Sequence, residues 1–124
     1  MAGTLVANTI NTDTGLFSTQ NAYLGIAKAW VAFSGSGSTS ILASFNVSSV
    51  TYAATGQYTV NFTTAMPSAN YVPLTNTVTT SGGKAVAALG SVPTTTAFTF
   101  FTSATLASGA QTDSSYAVAA VFGA

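Results

Sequence analysis

Four side chains carry the formal charge of this chain: Asp13, Asp113, Lys28 and Lys84. There is no histidine, cysteine, arginine or glutamate with which any of them could be paired. Two carboxylates could serve general acid and base work, or ligate calcium, if they stood together. Each instead stands alone among Thr, Ser and Gly, without the clustered acidic ligands that a calcium loop uses. An aspartate at the start of a turn has its own explanation in side-chain to backbone hydrogen bonding. A serine–lysine dyad on Lys28 or Lys84 would require a serine on a strained elbow, and no such pattern surrounds either lysine. The residue types therefore disfavour catalysis, and the sequence predicts no enzyme, no metal and no cofactor.

The weaker motifs have ordinary explanations. Asn46-Val47-Ser48 and Asn61-Phe62-Thr63 match the glycosylation triplet, but a chain this rich in Ser and Thr produces such matches by chance. Gly35-Ser36-Gly37 lacks the strand–loop–helix setting and downstream acid of a dinucleotide site and reads as a turn. Trp30, Tyr23, Tyr52, Tyr58 and Tyr71 could form a platform for sugar rings, although aromatic residues in strands ordinarily belong to the core. Trp30 is the exception in phase, opposite to Val31 and Phe33, which predicts partial exposure.

Charged residues make up 3% of the 124-residue chain and the net charge is zero, against roughly 25% in an ordinary soluble domain. Two lysines far apart in sequence cannot neutralise a run of phosphates, so nucleic-acid partners are disfavoured, and anionic membranes for the same reason. Mean hydropathy is high, +0.47, yet the longest apolar run, near residues 117–122, is far shorter than the roughly 18 residues of a membrane span. The start lacks a basic segment followed by an apolar one, so no export signal is expected. With no cysteine, no disulfide framework is available.

Whatever positions these few groups must be built from strands. β-branched and aromatic residues alternate with small polar ones throughout. Gln57 to Thr64 sets Tyr58, Val60 and Phe62 on one face. Ser115 to Phe122 predicts a C-terminal strand with Tyr116, Val118, Ala120 and Phe122 toward the core. Thr39 to Val47 places Ile41, Ala43, Phe45 and Val47 in phase, and Ala27 to Phe33 alternates with both faces partly covered. Further strands are expected at Tyr71 to Thr79, Lys84 to Leu89 and Ala97 to Thr105. Pro73 marks the Tyr71 strand as an edge or delays its start. Ser34 to Ser38 and Ala54-Thr55-Gly56 connect strands, and Ser81-Gly82-Gly83-Lys84 predicts a tight hairpin. Long-chain helix formers are nearly absent. The prediction is an all-β fold, an antiparallel β-sandwich or jelly-roll-like barrel of about seven to nine short strands.

Residues 1–22 differ, reading as an N-terminal arm or first strand ahead of a single β domain over 23–124. Thr4 to Asn11 could form one strand, and the segments Asn11 to Gly15 and Ser18 to Asn21 read as extended loop. Leu5, Val6, Ile10, Leu16 and Phe17 are apolar beads that either remain loose or dock on a neighbouring subunit. An uncharged, hydroxyl-rich protein lacks the repulsion that keeps copies apart, so its surface is best suited to close neutral packing in a symmetric assembly.

The stretch from Ala29-Trp30-Val31-Ala32-Phe33-Ser34-Gly35-Ser36-Gly37, through Ala43-Ser44-Phe45-Asn46-Val47-Ser48-Ser49-Val50-Thr51, to Gly56-Gln57-Tyr58-Thr59-Val60-Asn61-Phe62-Thr63-Thr64-Ala65-Met66-Pro67 and Ala69-Asn70-Tyr71 resembles a domain of tailed-bacteriophage virion proteins. That domain occurs in tail fibres and in small structural proteins. Where it often has Asn, Arg and an acidic residue, this chain has Ala32, Leu42, and Gln57 or Ser68. These departures run toward smaller or less polar groups, away from an exposed adhesin tip. The resemblance implies a virion structural protein. A 124-residue chain starting at Met1 without a shaft suggests a stand-alone capsid decoration (cement) protein on the capsid surface, assembled in the host cytoplasm. Its expected partners are itself, as a homotrimer, and the major capsid protein. The alternative is a tail-fibre or tail-tip module that recognises a host glycan. The residues expected at the interface are Leu5, Ile10, Leu16, Phe17, Trp30 and Leu42.

Overall fold

A computed structural model describes residues 3–4, 6, 9–12, 15–79, 86–104 and 110–123. Its elements in chain order are β1 (Thr9–Thr12), β2 (Gly15–Ser18), α1 (Thr19–Gly25), β3 (Ala29–Ser34), β4 (Ser40–Phe45), β5 (Val47–Ala54), β6 (Gln57–Phe62), β7 (Val72–Thr79), β8 (Val86–Leu89), β9 (Ala97–Ser103) and β10 (Ser114–Phe122). β3 to β10 form two four-stranded antiparallel sheets, ordered β4-β3-β10-β7 and β5-β6-β9-β8, while β1 and β2 pair separately. The fold is an all-β sandwich whose sheets do not close into a barrel.

Period-two alternation in β6 and β9 sends Tyr58, Val60, Phe62, Phe98 and Phe100 into the core. Opposite them the first sheet supplies mostly small side chains, Ala29, Val31, Ala117, Ala119 and Val121, with Phe33 as its one large ring. Phe33 meets Tyr58 edge-on at 5.1 Å between ring centroids and Phe100 at 6.2 Å, so the two sheets interlock through these rings.

This division of volume corrects the expected phase of β10. Tyr116, Val118, Ala120 and Phe122 lie on the outer side, while Ala117, Ala119 and Val121 are buried. The second sheet already fills the interior with aromatic rings, leaving space only for small residues across from them. Thr39 to Val47 is not one strand either. All six residues of β4 are exposed, and Asn46, with φ 54°, turns the chain so that Val47 starts β5 in the other sheet. The left-handed backbone suits asparagine, whose amide is held across the turn: Nδ2 donates to the carbonyls of Lys28 at 3.1 Å and Thr64 at 3.2 Å, and Oδ1 accepts from the Thr64 amide at 2.8 Å.

β7 is an edge strand, as Pro73 suggested. β7 and β8 belong to different sheets, so they do not pair as the hairpin expected at Ser81 to Lys84, and those four residues lie outside the described ones. In the N-terminal region the described residues of the expected loops belong to regular elements. Asn11–Thr12 and Gly15 belong to the β1–β2 hairpin, and Thr19 to Asn21 begin the short helix.

Candidate interaction surface

The outer side of the first sheet gathers seven exposed large hydrophobic residues, Trp30, Leu42, Phe45, Val72, Leu74, Val78 and Tyr116. Register places Phe45, Trp30, Ala120 and Leu74 in one row across all four strands, and Ala43, Ala32, Val118 and Asn76 in the next. Phe122 pairs with Val72 beyond the first row, and Tyr116 with Val78 beyond the second. Phe45 is 54% exposed, Leu74 58%, Tyr116 44% and Trp30 41%; Val72 and Val78 are more than half exposed. Ala32 and Ala120 on the two central strands and Ala43 on the edge strand β4 present only methyl groups beside these larger side chains. A shallow hollow lined by Asn76, Thr77, Val78, Tyr116 and Val118 opens where β10 changes register between Ser114 and Tyr116. β4 changes register against β3, leaving Leu42, 60% exposed, with no counterpart.

The second sheet's outer side has the opposite character. Thr51, Thr59 and Thr99 form one cross-strand row, with Ser49, Asn61 and Ala97 beside it. The Thr59 and Thr99 hydroxyls are 2.9 Å apart, and the Asn61 amide donates to the hydroxyls of Ser49 and Thr51 at 3.1 Å. These polar groups satisfy one another and the surface remains wettable, whereas the first sheet's outer face offers water few partners.

One end of the sandwich is held by buried and half-buried polar groups. The Tyr58 hydroxyl donates to the Gly35 carbonyl at 2.9 Å and accepts from the Ser114 amide at 3.0 Å. The Asp113 carboxylate accepts from the amides of Gly56 at 2.8 Å and Gly37 at 3.2 Å and from the Tyr52 hydroxyl at 3.2 Å. Asp113 thus bonds remote loops of both sheets, beyond the local turn that its sequence setting explains. The Thr77 and Ser114 hydroxyls are also bonded within this cluster. At the other end, the Tyr71 hydroxyl donates to the carbonyls of Thr94 and Ala97. Desolvation raises the Tyr58 phenol, against the lowering effect of its bond from Ser114, and burial pushes Tyr71 up to about 12. Both stay neutral, as hydrogen-bonding struts.

Of the residues expected at an interface, Trp30 and Leu42 are exposed in the first sheet. Ile10 and Phe17 are register partners in the β1–β2 hairpin, and Leu16 pairs in register with Asn11. Leu5 lies outside the described residues, as do Asp13 and Lys84. Lys28 sits with its ammonium 3.4 Å from the centroid of the Tyr23 ring, a cation–π contact. The five aromatic residues do not gather on one surface: Tyr58 and Tyr71 are core struts, Tyr52 packs against the core from the second sheet, and Trp30 and Tyr23 are exposed, Trp30 on the outside of the first sheet. Phe45, Val72, Leu74, Val78 and Tyr116 were not predicted as surface groups, because each also fits an apolar strand phase. Register with Trp30, a cross-strand relationship, is what places them. Compared with protein-family models, curated proteins and solved structures, the chain matches none.

Proposed function

We propose that the chain is a non-enzymatic bacteriophage virion structural protein, a capsid decoration or cement protein that binds between capsomers as a homotrimer and stabilises the head. The observation that carries this reading is the uncharged apolar face around Trp30, Phe45 and Leu74, set on a sandwich whose other outer side is hydroxyl-rich and self-satisfied. Such a face suits contacts made by dispersion and neutral hydrogen bonds, repeated many times in a shell. The resemblance of residues 29–71 to virion protein domains supplies the phage setting. Asp113 and Lys28, the charged groups among the described residues, are engaged by amides, a hydroxyl and a ring. Their work is to hold the fold.

A cement acts by binding the assembled head more tightly than the opened one, which raises the temperature of opening. Heads stripped of the protein should release their genome at a lower temperature, and purified chain added back should restore the original one. A release temperature indifferent to the protein would overturn the reading.

A further inference from the structure

We propose that the outer face of the β4-β3-β10-β7 sheet is a homotypic contact surface, covered in solution by the same face of a second copy of this chain. The inference rests on the shell-subunit reading and assigns this face to a two-fold contact between copies, so the three-fold and capsid contacts of that reading fall on other surfaces of the chain.

The area suffices. Aromatic side chains bury roughly 150–250 Å² each, so Trp30, Phe45 and Tyr116, each about half exposed, present roughly 300 Å² together. Leu42, Val72, Leu74 and Val78, all more than half exposed, bring the patch to about 600 Å². That is the upper end for apolar patches on monomers and most of the roughly 800 Å² per partner in a standard interface.

The shape favours a like partner. A self-complementary contact requires one surface to carry both projections and the depressions that accept them. Trp30, Phe45 and Leu74 stand in register beside the small side chains of Ala32, Ala43 and Ala120, and a two-fold-related copy would set its large side chains over those small ones. Charge selects in the same direction. The outer positions of these strands carry no charged residue, so two copies meet without repulsion, while a charged partner finds nothing to pair with. The edge nearest Trp30 is open as well: β4 has six exposed residues without charge or proline, the usual devices that discourage association at an edge.

Trp30 is the single tryptophan of the chain, so its emission reports on this face directly. Sedimentation of the purified chain at micromolar concentration should show an oligomer with blue-shifted emission. Dilution should shift the emission to the red as the oligomer dissociates. Phe45→Lys and Leu74→Lys should each weaken association by about tenfold or more with far-ultraviolet circular dichroism unchanged, while Ala53→Lys, at an exposed position of β5 in the second sheet, should leave it intact. A monomeric wild-type chain would overturn the inference, as would an oligomer insensitive to both face variants. A monomer that still binds heads refutes this contact but not the decoration reading. An oligomer that never binds heads does the reverse.

Discussion

The hydroxyl of Tyr58, in the middle of one sheet, accepts a hydrogen bond from the backbone amide of Ser114, at the start of a strand in the other. The same hydroxyl donates to the Gly35 carbonyl, and Gly35 returns a bond from its own amide to the Ser114 carbonyl at 2.9 Å. Tyr58 is thus both a core ring and a fastener between sheets. Tyr58→Phe keeps the ring and strands two buried backbone groups, which should cost about 1–3 kcal/mol in urea unfolding. A loss too small to measure would show that the bridge contributes nothing.

The buried phenols also set a pH limit. Tyr58 and Tyr71 hold their protons in the folded chain at pH values where the unfolded chain, with phenols near 10, has released them. Their contribution to stability is therefore complete below about pH 10 and is lost as the pH rises through about 12 for Tyr71. The loss should be steep, about 1.4 kcal/mol per pH unit per tyrosine, and Tyr71→Phe should flatten it. Urea midpoints that hold steady from pH 10 to 12 would contradict this assignment.

Gly56 is where two loops and a carboxylate meet. Its φ is 63°, and a Cβ there would lie 2.6 Å from the Thr102 carbonyl oxygen and 2.7 Å from the Thr112 nitrogen. Both neighbours are backbone and cannot swing aside. Gly56→Ala should cost more than about 2 kcal/mol. Gly37 has φ 72° but open space around it, so Gly37→Ala should cost only the backbone strain, about 1–2 kcal/mol. Equal effects in thermal unfolding would mean that the crowding at Gly56 is relieved elsewhere.

Core and outer face should separate cleanly under mutation. Phe100 is fully buried among Phe33, Tyr58 and Phe98, and Phe100→Ala should destabilise the chain by about 3–5 kcal/mol. Leu74 is more exposed than buried, so Leu74→Ser, measured at a dilution where the chain is monomeric, should change stability by only about 0.5 kcal/mol. A large loss at Leu74 under those conditions would mean that it belongs to the core.

Much of this architecture was legible because alternation is a local signal. The Tyr58-Val60-Phe62 face, the edge position of the Pro73 strand and the exposure of Trp30 follow from period two and from proline's missing donor. β10 was legible as a strand but not in phase, since both its faces are apolar and only the aromatic rings of the opposite sheet determine which one is buried. The break at Asn46 was hidden by apolar residues that keep phase through it. The outer face of the first sheet could not be read from any single segment, because Phe45, Trp30, Ala120 and Leu74 come from four strands and meet only through register. The Asp113 contacts join residues more than fifty positions apart, which no local pattern encodes.

Counting the chain in virus particles decides whether it is the repeated head subunit proposed above. Quantitative mass spectrometry of purified particles, compared with heads from which tails have been removed, should find the chain in hundreds of copies, all retained on the tailless heads. A handful of copies lost with the tails would contradict the account and return the chain to a tail-fibre or tail-tip role.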